Sequence, residues 1–294
     1  MGSHVVEKLV ERGVPRDNIF VPRSNECDLR KREDCEKAIT GRDVVVHLAA
    51  KVGGIGYNQE NPGELFYDNI VMGANMLDSA YRASVEKMLI LGTVCSYPKF
   101  APAPFKEEDL WNGYPEETNA PYGLAKKALL VGAQAYRKQY GFNAITLFPV
   151  NLYGPRDTFD PGKSHVIPAL IKKVYDAKRG NKDYVEVWGT GRATREFLYV
   201  EDAAEAIVSA LEKYDKPDPV NLGSGREISI KNLIELIARL MDFRGEIRWD
   251  ASKPDGQPRR LLDVSRAKRE FGFKAKTDFE EGLRKTIKWY EANC

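Results

Sequence analysis

The chain has few of the residues that staple small folds or hold metal ions: four cysteines and three histidines among 294 residues. Cys27, Cys35, Cys95 and Cys294 show neither a CxxC pair nor a ligand-like spacing, so reduced thiols are expected and a structural metal is not. Charge of one sign is also missing. The 45 basic and 43 acidic residues leave a formal charge of +2, and the two signs are interspersed. That balance excludes the basic field needed to capture nucleic acid or an anionic membrane surface. No apolar run reaches the length of a membrane span, and no signal-peptide pattern opens the sequence, so a cytoplasmic protein is expected. What remains, 43% hydrophobic residues, is enough for a sizeable core in one large α/β unit, with or without an attached lobe.

Apolar β-rich runs alternate with helical patterns over residues 1–150. Asn18–Val21, Asp43–Leu48, Lys87–Leu91 and Ala144–Phe148 read as short buried strands. Between them Tyr67–Ala83 sets Ile70, Ala74, Leu77 and Tyr81 on one helical face, and Tyr122–Tyr140 carries the same period. This alternation predicts a Rossmann-type, doubly wound parallel sheet with its ligand crevice at the carboxyl ends of the strands. From Asn151 the sequence turns to loops rich in Gly, Pro and Asp, with helices expected at Lys231–Met241 and Asp278–Glu291. Residues 151–294 therefore read mainly as a substrate-binding lobe, with some segments returning to the first unit.

A dinucleotide fold opens on a strand, a glycine-rich turn and a helix. This chain begins Met1-Gly2-Ser3-His4 and enters a helical pattern at Val5–Arg12, stopped by Gly13. Gly-Ser-His reads either as a short leader or as Gly2 standing last in a phosphate loop.

The strongest local signal is Tyr122-Gly-Leu-Ala-Lys126. Residues i and i+4 share a helix face, so the phenol and the ammonium meet, and a nearby cation is expected to lower the phenol pKa toward neutrality. Alone the pair is common by chance. It gains specificity from Leu91-Gly-Thr-Val-Cys-Ser-Tyr-Pro98, which follows an apolar strand about thirty residues upstream. Gly92 lets the backbone approach a ligand, and Thr93 sets a hydroxyl at the crevice mouth, suited to a substrate carbonyl.

Thr93, Tyr122 and Lys126 resemble the catalytic trio of the extended short-chain dehydrogenases/reductases. The closer resemblance is to the GDP-L-fucose synthases, which epimerise and reduce GDP-4-keto-6-deoxy-D-mannose. It is carried by Ala49-Ala-Lys-Val-Gly-Gly-Ile55, Cys95-Ser-Tyr-Pro-Lys99, Glu117-Thr-Asn-Ala-Pro-Tyr122, Asn151-Leu-Tyr-Gly-Pro155 and Ser164-His-Val-Ile-Pro-Ala-Leu170. Trp188-Gly-Thr-Gly191, Arg195-Glu-Phe-Leu198 and Lys253-Pro-Asp-Gly-Gln-Pro-Arg259 continue it in family order over nearly the whole chain.

The resemblance implies that Cys95 and His165 exchange protons at carbons 3 and 5, that Tyr122 protonates the carbon 4 oxygen, and that Lys126 tunes it and binds ribose. Without the resemblance, Cys95 is a small buried hydrophobe and His165 a surface or capping residue. Lys173, Trp188, Arg195 and Asp255 match positions that hold the GDP-sugar, and the Arg195 fork suits a diphosphate. NADP(H) is the implied cofactor. Arg23 is expected at the adenosine 2′-phosphate and Asp28-Leu29 at the adenine. Leu91, Gly92, Thr93, Val94, Lys126, Pro149, Val150, Asn151, Leu152 and His165 are expected around the remainder, with Gly2 at the pyrophosphate.

Family members begin with a strand and Gly-x-x-Gly-x-x-Gly, of which this chain carries only the equivalent of the last glycine. The first strand and most of the loop are expected to be absent, and cofactor binding to be weakened. Helices 67–83 and 122–140 match those that pair two subunits, so a homodimer is expected. Two rivals stand beside this reading: another nucleotide-sugar epimerase or dehydratase of the same fold, and a non-catalytic nucleotide-sugar-binding relative.

Overall fold

The computed structural model describes residues 1–253 and 255–294. In chain order its first elements are α1 (Gly2–Glu11), α2 (Arg32–Ile39), β1 (Val44–His47), α3 (Ile55–Glu60), α4 (Pro62–Arg82), β2 (Lys87–Leu91), α5 (Ala120–Tyr140) and β3 (Ala144–Pro149). There follow β4 (Asn151–Tyr153), α6 (Val166–Arg179), β5 (Tyr184–Trp188), β6 (Thr194–Tyr199), α7 (Val200–Lys213), β7 (Val220–Leu222) and β8 (Glu227–Ser229). The chain closes with α8 (Ile230–Leu240), β9 (Glu246–Asp250), β10 (Arg259–Arg260), α9 (Ser265–Phe271) and α10 (Phe279–Asn293).

Strands β1, β2, β3 and β7 form one parallel sheet in that order, with Val46 opposite Leu89 and Leu89 opposite Ile145. Side chains alternate across the strands, so β2 feeds two cores. Leu89 joins Phe148, Leu198, Ile207 and Tyr214 on the face covered by α1, α7 and α9. Met88 and Ile90 join Cys35, Ile39, Leu77 and Leu129 on the face covered by α2, α4 and α5. A second sheet, β10-β6-β4 with β8 antiparallel to β6, and the pair β5-β9 build the other lobe around Ile171, Val187, Leu233 and Ile237. The chain crosses back twice: α7–β7 and α9 pack into the first core although they follow residue 150.

Local sequence explains the main elements. Helix α5 opens with a proline in its first turn and stops where Gly141 adopts φ +70°. Helix α10 begins at Asp278, whose carboxylate accepts from the Glu280 and Glu281 amides at 3.0 and 3.2 Å. One expected strand is absent. Residues 18–21 form the end of a short 3-10 turn and an extended stretch without a ladder, and Phe20 and Val21 are exposed. Their β-rich composition finds no neighbouring strand among the described residues, since β1 pairs only with β2.

Candidate active site

The carboxyl ends of β1, β2 and β3 open into a cavity of about 750 Å³, walled on the far side by α6, β6 and the segment before β10. Strand β2 ends at Leu91, and at Gly92 the backbone passes so close to β3 that a Cβ would lie 2.9 Å from the Phe148 ring. Thr93 then caps a short 3-10 turn, Val94–Ser96, its Oγ1 accepting the Cys95 amide at 3.2 Å. With the hydroxyl oxygen so used, its proton is left to donate into the cavity.

Helix α5 is clamped on this turn. A side chain on Gly123 would collide with the Cys95 carbonyl, and Ser96 Oγ donates to the Gly123 carbonyl at 2.8 Å. The contact brings Tyr122 and Lys126 to the cavity wall beside Thr93 and Cys95. Both are buried, and burial dominates both titrations. The Tyr122 phenol is pushed well above its ordinary value, by burial first and then by Cys95, with the Thr93 hydroxyl opposing. The expected lowering by Lys126 does not occur: the ammonium is itself depressed to about 8 by loss of hydration. Tyr122 therefore stays protonated at neutral pH, as a proton donor must. Lys126 is 2% exposed and its Nζ has no hydrogen-bond partner among the described residues, leaving the ammonium available to ligand hydroxyls.

Across the cavity His165 stands at the start of α6 and contributes to the cavity lining. The surrounding walls lower its pKa; Asp157 opposes this and Arg260 adds to it. The loop before it is held close to the Gly53-Gly54 turn, where a Cβ on Gly54 would sit 2.6 Å from the Ser164 carbonyl. Cys95 and His165 thus line the same cavity from two lobes.

At the outer end Trp188 is half exposed, with the ammoniums of Lys173 and Lys253 at 5.4 and 5.3 Å from its ring centre. The following Gly189-Thr-Gly191 turn needs both glycines, which adopt φ +84° and +75°. It is fastened by Asp255, whose carboxylate accepts from the Thr190 amide and hydroxyl, each at 2.7 Å. Arg195 is buried and, among the described residues, donates only to the carbonyls of Thr194 and Asp255, at 2.7 and 3.0 Å. Burial, then Arg260, drives its pKa down to about 9.

The expected residues divide cleanly. Thr93, Cys95, Tyr122, Lys126 and His165 line one cavity together with Leu91, Gly92, Val94, Pro149, Val150, Asn151, Leu152, Lys173, Trp188, Arg195 and Asp255. Gly2, Arg23, Asp28 and Leu29 do not line it. Gly2 opens α1, where an added Cβ would touch nothing within 4 Å. Arg23 is exposed, and Asp28 is engaged by Arg30 through two bonds of 2.9 Å. Asn58, Asn119 and Arg260, none of them expected from the sequence as a site residue, also line the cavity. Asn58 donates to Asn119 at 3.0 Å, and its own carbonyl oxygen lacks a donor among the described residues. Their spacing in sequence gave no signal.

Known proteins similar to this chain carry the names of nucleotide-sugar epimerases, reductases and synthases. Residues 1–223 match the model of the NAD dependent epimerase/dehydratase family. The chain is 44% identical over 296 residues to the probable GDP-L-fucose synthase 1 of Oryza sativa subsp. japonica, covering 100% of this chain and 89% of that protein. It is 42% identical over 295 residues to the GDP-L-fucose synthase of Sinorhizobium fredii, covering 100% and 93%. Among solved structures, the NADP-bound GDP-L-fucose synthetase of Naegleria fowleri superposes with a TM-score of 0.85 at 28% identity, covering 98% of this chain and 90% of that one.

Proposed function

The chain belongs to the NAD dependent epimerase/dehydratase family, and from that membership we propose that it converts GDP-4-keto-6-deoxy-D-mannose to GDP-L-fucose with NADPH. The observation that carries the reading is the meeting of Thr93, Cys95, Tyr122, Lys126 and His165 around a single cavity, in a chain 42% identical to a GDP-L-fucose synthase.

Cys95 and His165 perform the epimerisation. One takes the proton alpha to the ketone at carbon 3 or carbon 5, and the other returns a proton to the opposite face, which inverts the carbon. The lowered pKa of His165 leaves a neutral imidazole at pH 7, able to accept a proton. Thr93 donates to the carbon 4 oxygen, which steadies both the ketone and the enolate. NADPH, when bound, supplies the hydride for carbon 4. Tyr122 gives its proton to the carbon 4 oxygen as the alkoxide forms, and its raised pKa keeps that proton in place until then. Lys126 donates to the ribose hydroxyls. Arg195 takes the diphosphate, and Lys173, Trp188 and Asp255 frame the nucleotide end. Arg23, outside the cavity and free of any ion pair among the described residues, is left to the 2′-phosphate.

The proposed assembly is a homodimer through α4 and α5. These helices pack closely where Gly132 faces Leu77, and their outer surfaces expose Phe66 and Val131 at 47% and 48%. The four cysteines are unpaired, which suits the cytoplasm. Among the described residues no helix is long and apolar enough to cross a membrane. A spectrophotometric assay tests the activity: NADPH is consumed when GDP-4-keto-6-deoxy-D-mannose is added, and not with GDP-mannose. Equal consumption with either, or with neither, overturns the assignment.

A further inference from the structure

Arg260 lines the cavity and takes no part in the chemistry described above. It sits on β10, and the parallel register with β6 sets it opposite Arg195. The two arginines are 7% and 8% exposed, and neither has a carboxylate within ion-pair distance among the described residues. The neighbouring Arg259 is different, paired at the surface with Glu227. A buried cation beside a second cation is costly unless something supplies oxygen acceptors.

The acceptor that does exist engages one corner of Arg260. Its Nε donates to Gln257 Oε1 at 2.9 Å, and Gln257, 2% exposed, donates in turn to the carbonyls of Pro98 and Lys99 at 3.2 and 3.0 Å. Those carbonyls follow directly on the turn that carries Cys95. Nη1 and Nη2 have no partner among the described residues, and the side chain lines the cavity. The fork is thus hung from the Cys95 turn, and its charge is felt at His165 on the other wall. Arg195 is held differently, its guanidinium engaged by the Thr194 and Asp255 carbonyls at 2.7 and 3.0 Å.

We propose that Arg260 donates through Nη1 and Nη2 to the hydroxyl oxygens of the substrate's hexose, holding the ring between Cys95 and His165. A planar fork with two parallel N–H bonds matches the hydroxyl oxygens on two neighbouring ring carbons. Arg260 is then a residue that selects the glycosyl group, distinct from Arg195, which takes the diphosphate. The inference rests on the GDP-sugar reading above.

Equilibrium titration of GDP and of GDP-mannose, a stable GDP-hexose, separates the possibilities. Arg260→Gln leaves the Kd for GDP within about twofold, while GDP-mannose weakens relative to GDP by about tenfold or more. Arg260→Lys keeps the charge without the fork and gives the same split with a smaller shift, which covers the case of a Gln variant that does not fold. Arg195→Gln weakens both ligands alike. Equal weakening of GDP and GDP-mannose by the Arg260 variants places this residue on the diphosphate and overturns the proposal, as does no change in either. A wild-type protein that binds neither ligand overturns the GDP-sugar reading itself, and the inference falls with it.

Discussion

Gly123 and Cys95 meet backbone against backbone: the first turn of α5 lies on the Cys95 carbonyl with no room for a Cβ between them. The contact joins the helix that carries the phenol to the turn that carries the thiol. Gly123→Ala must therefore push α5 off the turn, because the obstacle is main chain and cannot rotate away. The expected cost is about 1–3 kcal/mol of stability, with loss of both proton exchange and reduction. Thermal melts and both assays check this; a variant with unchanged exchange would show that Tyr122 and Cys95 tolerate independent positions.

Tyr122→Phe separates the two chemistries. The phenol is assigned to the hydride step alone, so reduction falls by about 10²- to 10⁴-fold, while exchange alpha to the ketone persists. Incubating the variant with ketone substrate in deuterated water reads both. Loss of exchange along with reduction contradicts the division of labour.

Lys126 lies in the fold with a pKa near 8, below that of an unfolded lysine. The fold thus disfavours the ammonium, and stability rises as pH climbs from about 8 to the unfolded value of 10.5. Lys126→Met removes that burden and stabilises the ligand-free protein at pH 7 by up to about 3 kcal/mol. The same variant loses NADPH affinity, and in the wild type that affinity declines as pH rises through about 8. A destabilised variant, or one with full NADPH affinity, is inconsistent with an unpaired ammonium held for the ribose.

Much of this was legible in the sequence because it is local. Lys87–Leu91 and Ala144–Phe148 are apolar runs bounded by turn residues, and Tyr122-x-x-x-Lys126 fixes its own geometry on one helix face. The residues 18–21 misled because β composition reports side-chain preference, whereas a strand needs a neighbour. The phenol pKa departs from the sequence expectation for a related reason: spacing reveals that a lysine is near, but not that both groups are dehydrated. Arg260 is not legible in the sequence, because only the two-residue register with β6 turns Arg259 outward and Arg260 into the cavity.

Val131→Asp places a charge on the outward face of α5, on a position already 48% exposed in the single chain. Monomer stability is expected to change little, within about 0.5 kcal/mol, while the dimer is lost. Light scattering at micromolar concentration reads the mass. A wild-type monomer at that concentration ends the assembly proposal.

One cavity that inverts two carbons and reduces a third leaves an isotopic record. Running the reaction to completion in deuterated water with NADPH and GDP-4-keto-6-deoxy-D-mannose, then reading the product by NMR, displays it. The expected product is GDP-L-fucose carrying deuterium at carbons 3 and 5, with protium delivered to carbon 4 and one NADPH consumed per product. A 4-reduced sugar that keeps the D configuration and holds no deuterium would contradict it, leaving a reductase in which Cys95 and His165 move no protons.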